Sequence, residues 1–286
     1  MSTLLELAKV RLTAMVALSA ATGYVLFARR IDAGIVLPAL GLFLLAAGAA
    51  ALNQVQEASI DARMARTSGR PIPSGRISRA GAFYVAGLLI LSGASALASL
   101  DRHPLEALAA GGFALVWYNG VYTPLKRVTA FAAVPGALIG ALPPLVGYRA
   151  AGGDPRDPAI LLVAGFFVVW QIPHFWLLMA SRGEQYEAAG LPTLGRVFEP
   201  PQLRRLTFAW LLSSAAAGTL LPLLAHGRIG TAWSLGMVGA SALLGVGALD
   251  LLRPPPGTDP FRRAFFRINL YAMAVMACLA LNALLG

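Results

Sequence analysis

Charge is what this chain has least of. Only 13% of its 286 residues are Asp, Glu, Lys or Arg, where a soluble domain carries about a quarter. Acids are the scarcer kind, 13 against 23 cations, for a net charge of +10. The cations lie in short gaps between apolar runs, so this balance excludes a nucleic-acid partner and points to membrane topology. Cysteine is almost missing: Cys278 alone rules out an intramolecular disulfide and reads as a small packing residue. No small-residue cleavage site follows the first apolar run, and no Arg-rich, acid-poor leader precedes it. The alternating pattern of a membrane β-barrel is absent too.

Apolar residues fill the chain instead, at 57% with a mean hydropathy of +0.68. Nine runs, 12–28, 34–53, 80–100, 105–123, 129–148, 158–179, 207–225, 230–251 and 264–285, are long enough to cross a hydrocarbon core of about 30 Å as helices. The expected fold is therefore an all-α membrane protein, a single polytopic domain over residues 1–286. With the N-terminus in the cytoplasm, seventeen of the 23 cations fall inside and the C-terminus outside, as the positive-inside rule requires. A bacterial inner membrane is the default location. The two longest gaps, 54–79 and 180–206, both face inward and are four spans apart, which hints at two four-helix halves plus a ninth helix. Spans five and six are unusual. Gly136 and Gly140 in span five form a small-xxx-small surface for close helix approach, while Trp170, Gln171, Pro173, His174, Phe175 and Trp176 put polar and aromatic groups deep in span six.

The chemistry concentrates in NQVQEASIDARMARTSGRPIPSGRIS (53–78). If the helix of span two continues, Asn53, Glu57 and Asp61 recur every four residues and share one face. Oxygen ligands of this kind suit Mg²⁺ or Mn²⁺, which take one or two carboxylates plus phosphate oxygens. A solvated interfacial turn is the plainer reading of two acids alone, but Arg66 and Arg70 close behind them favour a metal-bound diphosphate. A second acidic pair, Glu184 and Glu187, follows span six on the same side, beside Arg182. Tyr122, Lys126 and Arg127 occupy the link after span four, where the cations either neutralise a departing diphosphate or simply anchor the helix. His174 either donates to a carbonyl freed by Pro173 or presents its imidazole to a metal.

These segments resemble the UbiA superfamily of intramembrane prenyltransferases over nearly the whole chain. The resemblance is carried by residues 53–76, by YTPLKRVT (122–129), by GALIGALPPLVGY (136–148) and by WQIPHFWLLMASRGEQYEAAGLP (170–192). PHFW and YEAAGLP point to the branch that farnesylates protohaem. The resemblance implies a helical bundle with a central chamber opening to the cytoplasmic side, and transfer of a farnesyl group from farnesyl diphosphate to a vinyl group of haem b. It implies catalytic roles for Asn53, Glu57, Asp61, Tyr122 and Lys126, and diphosphate contacts from Arg66, Arg70, Lys126, Arg127 and Arg182. A divalent metal, Mg²⁺ or Mn²⁺, would be shared by Glu57, Asp61, Glu184 and Glu187. His174, Phe175 and Trp176 would meet the haem. Partners would be the bilayer, the two substrates and proteins that handle haem or assemble oxidases. The sequence departs from the superfamily pattern at Gln54, at Glu57 and at Gln185, where one second-motif carboxylate is missing. An aromatic quinone-precursor acceptor is the alternative substrate. A membrane transporter is a further one, disfavoured because the ionisable residues gather at one face.

Overall fold

The computed structural model describes residues 3–224 and 228–286. The expected end of span seven at 225, and His226, lie outside them. Among the described residues the regular structure is helical throughout. Eight helices are long and apolar enough to cross a membrane, and the protein is a multi-pass membrane protein. They are α1 (Val10–Ala28), α2 (Val36–Asp61) and α3 (Arg79–Ala98), then α5 (Ala130–Ala150), α6 (Pro158–Ala180), α7 (Pro200–Leu224), α8 (Thr231–Leu252) and α9 (Pro260–Leu285). Between α3 and α5 runs α4, residues 104–125, continuous in chain but changing its winding: α-helix over Pro104–Val116, π-helix over Trp117–Tyr122 and α-helix again over Thr123–Leu125. The ninth expected span, 105–123, falls on α4, which is not among the eight helices long and apolar enough to cross because a π turn divides it.

Helix starts are set by local chemistry. Asp157 and Asp259 each accept from the first free N–H groups of α6 and α9, and a proline follows both; the proline lacks the N–H that a first turn would leave unpaired. Ser78 caps α3 in the same way. Residues 253–259 join α8 to α9, with Gly257 at φ +70°.

Consecutive helices are neighbours throughout, and α1 also packs on α5 and α9, while α9 packs on α6. The bundle therefore closes on itself as two groups, α1–α5 and α6–α9, meeting along α1, α5, α6 and α9. The closest helix contact uses Gly23 of α1 and Gly147 of α5: a Cβ on either would strike the other helix's backbone at Pro144 or Ala20. Gly136 and Gly140, expected to bring helices together, instead make room for side chains. Gly136 faces the Tyr122 ring, 2.6 Å from where its own Cβ would lie, and Gly140 faces the Gln171 amide.

The two ends of the bundle differ. At the far end the acids are committed to structure. Asp157 takes Tyr148 Oη at 2.8 Å and Arg228 Nη1 at 2.8 and 2.9 Å, Glu106 takes Arg149 at 2.6 and 2.8 Å, and Asp32 takes Tyr24 at 2.7 Å. Asn282, near the end of α9, bonds the Arg228 carbonyl there, so the last helix finishes at the end opposite Lys9. The near end holds the N-terminal segment, the 62–78 loop and the end of α4.

Candidate active site

At 26 residues, α2 is about 39 Å long and outruns the hydrocarbon core. Its last turns carry Asn53, Glu57 and Asp61 on one face, as the four-residue spacing predicted, and all three are buried at 2–5% exposure. A carboxylate so buried needs a cation or a hydrogen-bond donor. Lys126 Nζ, from the turn after α4, lies 2.6 Å from Glu57 Oε1. That contact is an ion pair without hydrogen-bond geometry, and Oε1 accepts no hydrogen bond from any group. Asp61 is gripped at both oxygens by Arg70 Nη1, at 2.8 and 2.7 Å. Thr67 donates to the Asp61 carbonyl at 2.9 Å, folding the loop back so that Arg70 reaches the helix it has just left.

Asn53 links three segments. Its amide nitrogen donates to Thr123 Oγ1 at 3.1 Å, and that hydroxyl donates to the Tyr118 carbonyl at 2.9 Å. Its Oδ1 accepts from Lys9 Nζ at 3.3 Å. Lys9 stands at the break before α1 with φ +48°, a left-handed conformation that costs a non-glycine residue about 1–2 kcal/mol. The fold holds it there, with the ammonium turned toward Asn53. Burial first, then Arg70 and Lys126, bring its pKa down to about 7, against the pull of Glu57 and Asp61. In the sequence Lys9 is simply one of the seventeen cations of the inward-facing segments. Its approach to Asn53 crosses 44 residues, which no local spacing signals.

The π turn in α4 is tied to α2. Gln56 donates to the Asn119 carbonyl at 3.0 Å, and Asn119 returns a bond to Gln56 Oε1 at 3.0 Å and another to the Ala49 carbonyl at 3.1 Å. Wide turns leave carbonyls in need of such partners and recur at functional sites. Here the turn presents Tyr118 and Tyr122 stacked at 5.7 Å, and Tyr122 stacks in turn on Phe175 of α6 at 5.5 Å. Lys126 Nζ is 5.7 Å from the Tyr122 ring centre. A ladder of π faces therefore leads inward from the acids and their cations.

Other expected residues fall elsewhere. Arg127 is exposed and donates to the Gln56 carbonyl at 2.8 Å, so it ties α4 to α2. Trp176 is packed among Phe131, Trp210 and the core, on the side of α6 away from the tyrosines. Glu184 is exposed on the short helix Gly183–Ala188. Glu187 is held by Thr193, with Arg196 3.8 Å away. No three acids, histidines or cysteines among the described residues gather as a metal-binding group. The second acidic pair thus does not join the first, because a local hydrogen bond claims Glu187 and the helix turns Glu184 outward. Tyr186, between them, does come close, within electrostatic range of Tyr118, Tyr122 and Arg66; Arg182 likewise lies near Arg66.

His174 makes no hydrogen bond to the carbonyl freed by Pro173. A proline at 173 has no N–H for the Val169 carbonyl, and Ser214 of α7 lies 3.5 Å from that oxygen. His174 is not its donor. Its imidazole lies between Trp170 and Phe265, at centroid distances of 4.8 and 5.0 Å, with Nδ1 buried and without a hydrogen-bond partner.

Glu57 Oε1, buried and accepting no hydrogen bond, together with the second carboxylate one turn on and the Asn53 amide, makes a hard-oxygen donor set that fits a divalent cation. Glu184 and Glu187 do not add to it in this arrangement.

Fold and site together define an intramembrane enzyme class in which buried acids and cations at one end of a helical bundle face a lipid-tailed anionic substrate. The chain belongs to the UbiA prenyltransferase family, whose family model matches residues 11–271, and it is a prenyltransferase. It is 42% identical to a protoheme IX farnesyltransferase of Oleidesulfovibrio alaskensis, over 76% of each chain. A protein of the same name from Parvibaculum lavamentivorans is 35% identical over 98% of this chain and 88% of its own. Among solved structures, one described as digeranylgeranylglyceryl phosphate synthase in membranes superposes with a TM-score of 0.77 at 15% identity, covering 99% of this chain and 98% of that one. A UbiA homolog from Archaeoglobus fulgidus bound to GPP and Mg²⁺ gives 0.68 at 14% identity, covering 97% and 99%. At these identities the structures speak for the fold.

Proposed function

We propose that this protein transfers the farnesyl group of farnesyl diphosphate to a vinyl group of haem b, giving haem O. The row Asn53, Glu57, Asp61, with Lys126 and Arg70 in ion contact with its two acids, carries the reading. The names of the relatives support the donor and the acceptor.

A divalent ion, Mg²⁺ or Mn²⁺, held by Glu57, Asp61 and Asn53 would neutralise the diphosphate and make it a better leaving group. Arg70 and Lys126, now turned to the carboxylates, are placed to shift toward phosphate oxygens as negative charge develops on them. Arg66 and Arg182 stand near enough to contribute. The carbon–oxygen bond breaks with its electron pair going to the diphosphate, leaving an allylic cation. Tyr122, backed by Tyr118 and Phe175, offers that cation a π face. The acceptor vinyl group supplies the electrons of the new carbon–carbon bond, and water adds to the resulting porphyrin-side cation with loss of a proton. His174, whose Nδ1 has no hydrogen-bond partner while Asn269 lies within hydrogen-bonding reach of the imidazole, is the group we assign to the acceptor iron.

The setting we propose is a bacterial inner membrane with the N-terminus and the acidic site on the cytoplasmic side, and haem-handling or oxidase-assembly proteins as partners. The test is direct. Purified protein given farnesyl diphosphate, haem b and Mg²⁺ should yield haem heavier by one farnesyl group and one hydroxyl group, and excess EDTA should stop turnover. Prenylation of a hydroxybenzoate in place of haem would overturn the acceptor assignment, and full turnover in EDTA would overturn the metal.

A further inference from the structure

A cavity of about 440 Å³ opens beside the acidic site, lined by Glu6, Lys9, Arg11, Leu12, Arg66 and Arg70, with the Gly69 backbone at its edge. Four of its side chains are cations and one is an acid, and Arg76 already pairs with that acid, Glu6. Lys9 and Arg70 form the wall shared with the acidic site, bonded to Asn53 and Asp61. Arg11 and Arg66 are exposed and make no ion pair or hydrogen bond among the described residues. Two guanidinium groups without an ion pair, Arg66 on the side of the acidic site and Arg11 away from it, line one cavity, a geometry matched to the oxygens of a phosphate. Nothing would meet a Cβ at Gly69 within 4 Å, so a ligand can approach the backbone there. Below the cavity, Leu12, Met15 and Leu18 run exposed along the outer face of α1, a track on which an acyl chain can lie.

We propose that this cavity is a second phosphate-binding subsite, adjoining the metal-bridged one across Arg66 and Arg70 and distinguished from it by Arg11. Its occupant is either the headgroup phosphate of an anionic phospholipid or the inorganic diphosphate leaving the reaction. The diphosphate source rests on the proposed function, whereas the lipid source does not.

Arg11 is the discriminating residue, since it lines this cavity and has no part in the acidic site. The full chain would be prepared in nanodiscs of phosphatidylcholine with and without phosphatidylglycerol, and retained lipid counted by native mass spectrometry. Separately, the Glu57→Gln variant in excess EDTA, which silences metal-bridged binding, would be titrated with inorganic diphosphate by calorimetry. A lipid subsite predicts that the native chain keeps a phosphatidylglycerol that Arg11→Gln loses and Arg11→Lys retains. A product subsite predicts that the EDTA-treated Glu57→Gln protein still binds diphosphate, and that adding Arg11→Gln weakens this about tenfold, the loss of one charged hydrogen bond. Both are binding measurements, so failure of haem farnesylation would leave them readable. If Arg11→Gln changes neither lipid retention nor diphosphate affinity, the subsite does not exist.

Discussion

Each buried acid of the site is held by a different cation, and the two pairs should respond differently to substitution. Glu57 meets Lys126 without a directed hydrogen bond, while Asp61 is clamped at both oxygens by Arg70. Glu57→Ala and Asp61→Ala should each lower turnover by about 10²–10³-fold, while the proteins still elute as monodisperse species from size exclusion. Asp61→Ala should also loosen the 62–78 loop, because it strands Arg70; faster proteolysis within that loop is the readout. At His174 the prediction separates ligand from scaffold. His174→Ala should abolish the Soret shift on haem titration. Ser214→Ala, which removes the hydroxyl nearest the kink carbonyl, should leave that shift intact and lower thermal stability.

Among the elements, the π turn of α4 decides whether the tyrosine ladder faces the acids. Deleting Gly120 would return Trp117–Tyr122 to α winding and rotate the following residues by about 100°. Helix content by circular dichroism should hold while turnover falls at least as far as in the Glu57 variant. Gly136→Ala is the milder probe. Its methyl group would press the Tyr122 ring, and kcat should fall about tenfold with little change in KM, since the ring is asked to meet the cation and not the ground state. Legibility in the sequence divides along the same line. The row Asn53, Glu57, Asp61 could be read because its spacing is intrahelical and the helix did continue. Glu184 and Glu187 have the same kind of spacing, but what each faces depends on Thr193 and on the orientation of a six-residue helix, neither of which spacing encodes. Lys9 and the wide turn were invisible for the same reason: both depend on contacts with α2, dozens of residues away.

Across the whole molecule, the proposed function divides the labour, with stability at the far end and chemistry at the near end. Asp157→Ala removes the partner of both Tyr148 and Arg228. It should lower the thermal midpoint by a few degrees with kcat unaltered; a fall in kcat at a constant midpoint would contradict that division. The eight long apolar helices among the described residues were readable from hydropathy, because the bilayer imposes such runs on any helical chain that crosses it. The closed ring of two helix groups was not, since its closest seam depends on Gly23 and Gly147 meeting backbone across it. Keeping every reactive ion at one rim has a consequence for traffic. A charged headgroup would have to shed its hydration to reach mid-membrane, and with the proposed site at this rim it would not travel that far. The donor can remain wet at its polar end while its isoprenoid chain threads down between the helices, so supply and removal of substrate need only sideways movement within one leaflet.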